Sequence, residues 1–181
     1  LYSAVAWLVA HRGHFLNPTD GDNVEKLTDI KEFYDAFMDY FEKNEIKYLQ
    51  VDICNDSDFH KLPKKDVHAI VNLTGILPAY LQKYEPFIYV ETNIKGSLRI
   101  LEYARKIGVD RVLYTQTWAE MAGYWGKEEV LSPKMPRKLK YTGDHAFYAI
   151  TKCMIVDTME HYKQEYGIKN FVFRLPNVYL Y

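Results

Sequence analysis

The chain has 181 residues, of which 48% are hydrophobic and 26% are charged, and its 23 basic residues nearly balance its 24 acidic ones. This apolar fraction and this balance exclude a disordered chain and predict one ordinary domain with a sizeable core. A net charge near −1 argues against a nucleic-acid-binding surface, which normally carries a basic excess on one face.

The apolar stretch Leu1–Ala10 predicts neither a membrane anchor nor a signal peptide. It ends at His11, is too short to span a bilayer, and has no basic segment before it. The two cysteines, Cys54 and Cys153, lie far apart, so we expect reduced thiols rather than a disulfide framework or a zinc knuckle. These features together favour a cytoplasmic protein that binds no membrane.

Short β-branched segments alternate with longer segments of helical periodicity. In chain order the pattern predicts a helix over 3–11, a strand at 14–16, a helix from about 28 to 41, strands at 47–51 and 67–73, a helix from about 92 to 107, a strand at 111–115, a loop over 123–144, a helix over 147–165 and a strand at 170–175. This alternation indicates an α/β fold, a doubly wound parallel sheet of Rossmann type with helices on both faces. The run at 67–73 is almost wholly apolar, which predicts a strand covered on both sides.

Open parallel sheets bind ligands at the carboxyl ends of their strands, so residues at those places carry most weight. Thr117 follows the strand at 111–115 and lies 31 residues before Tyr148. A hydroxyl there can hydrogen-bond both a substrate oxygen and a phenol. The alternative is that Thr117 only caps the next turn.

The segment Tyr148-Ala149-Ile150-Thr151-Lys152 carries the sharpest chemical signal. On a helix, Tyr148 and Lys152 are four residues apart and share a face. A phenol with a pKa near ~10 is a poor base at neutral pH, and a neighbouring ammonium lowers that pKa. The pair can therefore exchange a proton with a substrate hydroxyl. The alternative is a surface tyrosine packed on the aliphatic part of the lysine.

Other segments occupy comparable places in the predicted fold. They are Asp52-Ile53 and Leu73-Thr74-Gly75 after two strands, Asn93 at a helix start, and Arg174-Leu175-Pro176-Asn177-Val178-Tyr179 at the end. Together with Thr117, Tyr148 and Lys152, this ordered set resembles the extended short-chain dehydrogenase/reductase superfamily, of the NAD-dependent epimerase/dehydratase type. The resemblance runs over residues 3–181 and rests on order and spacing rather than on one motif.

The resemblance implies a role for each of these residues. Thr117, Tyr148 and Lys152 would form the catalytic set, and a positively charged nicotinamide would lower the pKa of the phenol further. The cofactor-binding residues would be Asp52 (adenine amino group), Ile53 (adenine ring), Leu73, Thr74 and Gly75 (middle of the cofactor), Asn93 (surrounding loops), Thr115 and Leu175 (nicotinamide half), Tyr148, and Lys152 (nicotinamide ribose). Thr117 and Asn177 would face the substrate. By themselves, Asp52 and Asn177 are also typical turn residues.

The implied function is that of an NAD(P)-dependent epimerase or oxidoreductase acting on a secondary alcohol or ketone, in particular of a nucleotide-sugar. The resemblance also implies a homodimer that pairs through the helices near 93–107 and 147–165. The segment Asn17–Asp20 gives no clean acidic or basic signal for choosing NAD or NADP. The six histidines show no ligand spacing, so we expect no metal site.

The sequence departs from the family pattern in two ways. It has no Gly-x-x-Gly-x-x-Gly loop, whose amides and following helix receive the pyrophosphate. We expect this loop, the first strand and most of the substrate lobe to lie outside the chain, which leaves 1–181 as a partial dinucleotide-binding domain. The alternative is a non-catalytic or degenerate relative of the fold.

The second departure lies beside Thr117. Members with dehydratase activity carry Thr-Asp-Glu at the strand end, whereas this chain has Thr117-Trp118-Ala119 with Glu120 displaced by one position. Epimerisation or simple oxidation–reduction is therefore expected before dehydration. Trp118 either forms a wall of the substrate pocket or packs as an ordinary core residue.

Overall fold

The computed structural model describes residues 35, 38–78, 84–127, 130–132 and 134–175. The strands are β1 (Ile70–Asn72), β2 (Arg111–Thr117) and β3 (Lys169–Leu175), and the α-helices are α1 (Pro86–Tyr89), α2 (Ser97–Ile107) and α3 (His145–Tyr166). A π-helical segment, Val90–Gly96, joins α1 to α2, and 3₁₀ turns cover Asp56–Lys61 and Trp118–Tyr124. Residues 38–43 are also helical.

The three strands form one parallel sheet in the order β1-β2-β3. Asn72 pairs with Tyr114, and Thr117 pairs with Leu175, so the carboxyl ends of all three strands meet at one edge. This arrangement confirms the predicted α/β class with a parallel sheet. The residues singled out after the strands therefore lie on the same side of the molecule.

Two glycines turn the chain from helix to strand. Gly108 ends α2 with φ 75° and Gly167 ends α3 with φ 71°, a left-handed conformation that glycine adopts without steric penalty. The amide of Gly108 donates to the carbonyls of Ala104 and Arg105, and the Val109 amide also donates to Ala104, so these carbonyls at the helix end have partners. Each helix thereby returns the chain to the amino end of the sheet for the next parallel strand.

The described helices cover one face of the sheet. Val112 and Tyr114 of β2 form a buried cluster with residues of α2 and α3, among them Leu101, Ile155 and Met159. On the opposite face Val71 is 50% exposed, and Phe171 and Phe173 are about half exposed as well. The coverage expected on both faces is thus seen on one face within the described residues.

Several predicted boundaries were wrong. Residues 46–52 form no strand, and the strand predicted at 67–73 is confined to β1. The helix predicted from about residue 92 begins at Pro86, because the proline fits the first turn, where its missing amide needs no partner. The elements predicted at 3–11 and 14–16 lie outside the described residues. Within the described ranges, no helix has the length and apolar character needed to cross a bilayer.

The buried junction between the π-helical segment and the chain before β1 depends on a glycine. A Cβ placed on Gly96 would lie 2.5 Å from Cδ1 and 2.9 Å from Cγ1 of Ile53, which is fully buried. Both distances are shorter than van der Waals contact. The absence of a side chain at this position therefore allows Ile53 to pack against the helix.

We expect Gly96→Ala to lower the free energy of unfolding by roughly 1–2 kcal/mol, because overpacking costs about 1–3 kcal/mol and the gain from replacing a helical glycine is about 1 kcal/mol at most. Urea titration measures this difference. Adding Ile53→Val removes the Cδ1 atom and should restore part of the loss. A Gly96→Ala protein as stable as the wild type would contradict the packing described here.

Candidate active site

Thr117 is the last residue of β2 and also caps the 3₁₀ turn that follows. Its Oγ1 accepts a hydrogen bond from the Ala119 amide at 3.2 Å, and its own amide donates to Oε1 of Gln116 at 2.8 Å. Thr117 therefore does cap the next turn, which leaves its catalytic role open. Because Oγ1 accepts from Ala119, the hydroxyl hydrogen of Thr117 remains available for another acceptor.

Tyr148 lies in the first turn of α3 and is almost completely buried. The Thr117 side chain lies near the phenol, at the point where the end of β2 and the start of α3 approach each other. The Tyr148 ring also faces Tyr89 of α1 and His145, with ring centroids 6.3 and 6.5 Å apart respectively. The structure thus places Thr117 and Tyr148 in the same region, and their joint catalytic role stays a prediction.

The electrostatics of Tyr148 differ from the sequence expectation. Burial raises the pKa of the phenol above its ordinary value, and the nearby Thr117 side chain lowers it by a smaller amount. Lys152 is not among the groups that shift the pKa of Tyr148, so the expected lowering by its ammonium is not seen. Burial dominates because the charged phenolate is the form that burial disfavours.

Lys152 is buried one helical turn after Tyr148. Burial lowers the pKa of its ammonium to about 7. Its Nζ lies 4.0 Å from the centroid of the Tyr114 ring, a cation–π distance, and no carboxylate among the described residues forms an ion pair with it. A buried ammonium without a counter-charge is costly, which makes Lys152 a group able to gain from a polar ligand.

Asn93 connects the loop after β1 to the helix that carries Tyr148. Its side chain is fully buried, its Oδ1 accepts from the Ile76 amide at 2.8 Å, and its Nδ2 donates to Oγ1 of Thr151 at 3.1 Å. Thr151 in turn donates to the Tyr148 carbonyl at 2.8 Å. This chain of bonds fixes the loop relative to α3, in agreement with the loop-holding role expected for Asn93.

The loop Leu73–Gly75 lies beside Lys152. A Cβ placed on Gly75 would lie 3.4 Å from Oδ1 of Asn93 and 3.5 Å from Nζ of Lys152, so the glycine backbone approaches both polar atoms closely. Thr74 is turned inward, where its amide and hydroxyl donate to Oδ1 of Asn72. Leu73 is exposed. An unpaired ammonium beside open glycine backbone fits the hydroxyl groups of a dinucleotide ribose.

Asp52 and Ile53 lie in a separate turn. Oδ1 of Asp52 accepts from the Cys54 amide at 2.8 Å, as expected of a turn aspartate, while the Ile53 side chain is enclosed against Gly96. Elsewhere, Thr115 is half-buried in β2, and Leu175, at the end of β3, is exposed. Asn177 lies outside the described residues.

Three residues that sequence reasoning did not single out belong to this site. They are Thr151 and Gln116, which hydrogen-bond the backbone of Tyr148 and Thr117, and Trp125, whose ring stacks on Trp118 with centroids 4.1 Å apart. Gln116 carried a usable signal, because alternation in β2 places it on the same face as Val112 and Tyr114. A polar side chain on a core-facing position needs a hydrogen-bonding partner.

Comparison with known proteins agrees with this geometry. The family model described as NAD dependent epimerase/dehydratase family matches residues 9–181. A UDP-glucuronate 4-epimerase of Thermodesulfobacterium geofontis is 27% identical over 187 residues, which cover 99% of this chain and 55% of the relative. A uronate dehydrogenase of Pseudomonas syringae pv. tomato is 26% identical over 84% of this chain and 50% of the relative.

Solved structures share the fold. The UDP-glucose 4-epimerase of Thermus thermophilus in complex with NAD superposes with a TM-score of 0.62 at 20% identity, covering 72% of this chain and 40% of that one. The chain spans about half the length of the curated relatives it matches. The match over residues 9–181 shows that this chain belongs to the NAD-dependent epimerase/dehydratase family of extended short-chain dehydrogenases/reductases.

Proposed function

We propose that this chain is the dinucleotide-binding part of an NAD-dependent enzyme that oxidises or epimerises a secondary alcohol of a sugar. The observation that supports the proposal is the placement of buried Tyr148 and Lys152 one turn apart on α3, with Thr117 at the end of β2 near enough to the phenol to influence its pKa. Bound NAD supplies a hydride acceptor at its nicotinamide.

The residues of the chain would handle the proton. Tyr148 takes the proton of the substrate hydroxyl, and Thr117 orients the substrate oxygen through its hydroxyl group. Lys152 binds the nicotinamide ribose and, in its charged form, stabilises the phenolate. Because burial raises the pKa of Tyr148 in the free protein, we infer that the phenol gains its basic character only when positive charge is bound beside it.

The remaining predicted residues keep their expected roles as proposals. The middle of the dinucleotide would lie against Leu73, Thr74 and Gly75. Its nicotinamide half would lie near Thr115 and Leu175, and its adenine near Asp52 and Ile53. Asn177 would face the substrate. Pairing of two copies through α2 and α3 also stays a prediction.

We propose a sugar carrying a carboxylate as the substrate, either free or linked to a nucleotide. The support comes from the relatives, whose names are UDP-glucuronate 4-epimerase and uronate dehydrogenase. Incubation of the full-length protein and NAD with UDP-glucuronate, UDP-glucose and free uronates separates the two activities. An epimerase converts the sugar without net NADH, whereas a dehydrogenase accumulates NADH.

Tyr148→Phe should reduce turnover on the active member of this panel by about a hundredfold or more, because general acid–base groups contribute about 10²–10⁴ in rate. The Kd for NAD should change little, since the ring is retained. Stopped assays and NAD titration measure the two quantities. Tyr141→Phe, which alters an exposed phenol, is the control. Undiminished turnover in Tyr148→Phe would refute the catalytic role, and NAD binding without any turnover in the wild type would favour a non-catalytic binding module.

The buried ammonium of Lys152 makes stability depend on pH. The pKa of Lys152 is about 7 in the folded protein and 10.5 when unperturbed, so unfolding takes up a proton between these values. The loss of stability caused by burying the Lys152 ammonium is complete below about pH 7 and disappears as the pH approaches 10.5.

Lys152→Met should therefore be more stable than the wild type at pH 7, by a few kcal/mol, since each pKa unit corresponds to about 1.4 kcal/mol. The difference should shrink steadily towards pH 10. Urea unfolding at several pH values without NAD measures it, and the exposed Lys163→Met is the control. Equal stability of Lys152→Met and the wild type at pH 7 would contradict the buried charge.

The exposed Trp118–Trp125 stack lies directly after Thr117, where an aromatic surface can contact the apolar face of a sugar ring. Trp118→Ala should raise KM for the sugar by roughly threefold to tenfold with a smaller change in kcat. Steady-state kinetics test this, with Tyr166→Ala at the far end of α3 as the control. A lower melting temperature with unchanged KM would instead assign Trp118 to packing.

A further inference from the structure

Glu120 is a buried carboxylate that the proposed chemistry does not use. It lies in the 3₁₀ turn directly after Thr117 and is 1% exposed. One of its oxygens, Oε1, pairs with Nε of Arg174 on β3, and the other, Oε2, accepts from Nε2 of Gln116 at 3.3 Å. Because both oxygens are engaged inside the protein, Glu120 is not presented to a substrate as a dehydratase carboxyl would be.

Gln116 links Glu120 to Thr117 by hydrogen bonds. Its side chain is almost completely buried, and its Oε1 accepts from the amide of Thr117 at 2.8 Å. Its Nε2 lies 3.3 Å from Glu120 and 3.5 Å from Sγ of Cys153, the residue after Lys152 on α3. The side-chain amide of Gln116 is thus hydrogen-bonded through both its oxygen and its nitrogen. Its orientation decides whether the backbone amide of Thr117 has an acceptor.

The backbone around Glu120 is fixed independently. The carbonyl of Glu120 accepts from the Lys138 amide at 3.0 Å, and the carbonyl of Lys138 accepts from the Gly123 amide at 2.7 Å. A Cβ on Gly123 would lie only 2.6 Å from Cγ of Lys138, so this approach requires glycine. The carboxylate therefore projects from a turn that has little freedom to adjust.

Arg174 supplies the charge that makes this burial tolerable. Its side chain is half exposed, and Gln116 and Arg174 are register partners at the carboxyl edge of β2 and β3. A buried carboxylate loses its hydration and needs both a counter-charge and hydrogen-bond donors in return. The pair thus joins the ends of two strands at the edge where Thr117 meets Tyr148.

We propose that Glu120, acting with Arg174 through Gln116, is a positioning residue that fixes Thr117 so that its hydroxyl stays against the Tyr148 phenol. This inference rests on the proposed function for its kinetic consequences. Its structural consequence, a restrained Thr117 amide, is independent of turnover. Glu120 has no direct part in proton transfer.

The test uses Glu120→Gln in the full-length protein. Both partners of Glu120 are donors, so a glutamine amide replaces one of the two acceptor oxygens with a donor and breaks one link at unchanged volume. Arg174→Gln removes the other partner of the same ion pair. Because Arg174 is half exposed, this variant can be tested even if Glu120→Gln does not fold. Asp110→Asn is the matched control, because Asp110 pairs with Lys169 at 2.9 Å at the opposite ends of the same strands.

We expect both variants to lower kcat by about tenfold, since misplacement of a catalytic group by about 1 Å has effects of this order or larger. KM and the Kd for NAD should stay within about twofold of the wild type. The limb of the pH–rate profile that reports Tyr148 should move to higher pH, because Thr117 is the group that lowers the pKa of the phenol. The other titratable groups facing Tyr148, namely Tyr89, His145, Tyr114 and Lys152, are unchanged in these variants.

The activity-independent readout is hydrogen exchange of the Thr117 amide in the free protein. It should become about tenfold faster in Glu120→Gln and Arg174→Gln, and stay at the wild-type rate in Asp110→Asn. Unchanged exchange, or equal losses of kcat, NAD binding and melting temperature, would overturn the positioning role. A wild type without turnover on the sugar panel would overturn the proposed function, and faster Thr117 exchange in the variants would still support the restraint by Glu120.

Discussion

The parallel pairing of the three strands brings their carboxyl ends to one edge, and the site depends on this constraint. Thr117 and Leu175 are register partners, and the loop after Asn72 leaves the sheet at the same edge. Left-handed glycines end α2 and α3 and return the chain for each parallel strand. Residues far apart in the chain therefore lie close together at this edge, and their contacts are not local in the sequence.

Desolvation dominates the electrostatics of this edge. Burial raises the pKa of Tyr148 and lowers that of Lys152, so both groups favour their neutral forms in the free protein. The Tyr114 ring offers the ammonium only a cation–π contact. Hydrogen-bond acceptors beside Lys152 would favour its charged form, whereas a positive charge beside Tyr148 would favour the phenolate.

The amide side chains behind the edge have hydrogen-bond partners, whereas the buried Tyr114 hydroxyl has none among the described residues. Asn93 and Thr151 connect the loop after β1 to the backbone of Tyr148, and Gln116 connects Thr117 to Glu120. Such networks rigidify a site only when they are satisfied, because a buried polar group without a partner is costly. The backbone positions of Thr117 and Tyr148 are thus supported by hydrogen bonds from Gln116 and Thr151.

Periodicity in the sequence was sufficient to predict the α/β class, the long helix carrying Tyr148 and Lys152, and the strands ending near Thr117 and Leu175. These features follow from local alternation and spacing. The sequence did not show that residues 46–52 pair with no strand among the described residues, that a π-helical segment precedes α2, or that Glu120 turns inward to Arg174. Strand pairing, helix register and the burial of a charge depend on groups distant in the chain, so only the tertiary structure decided them.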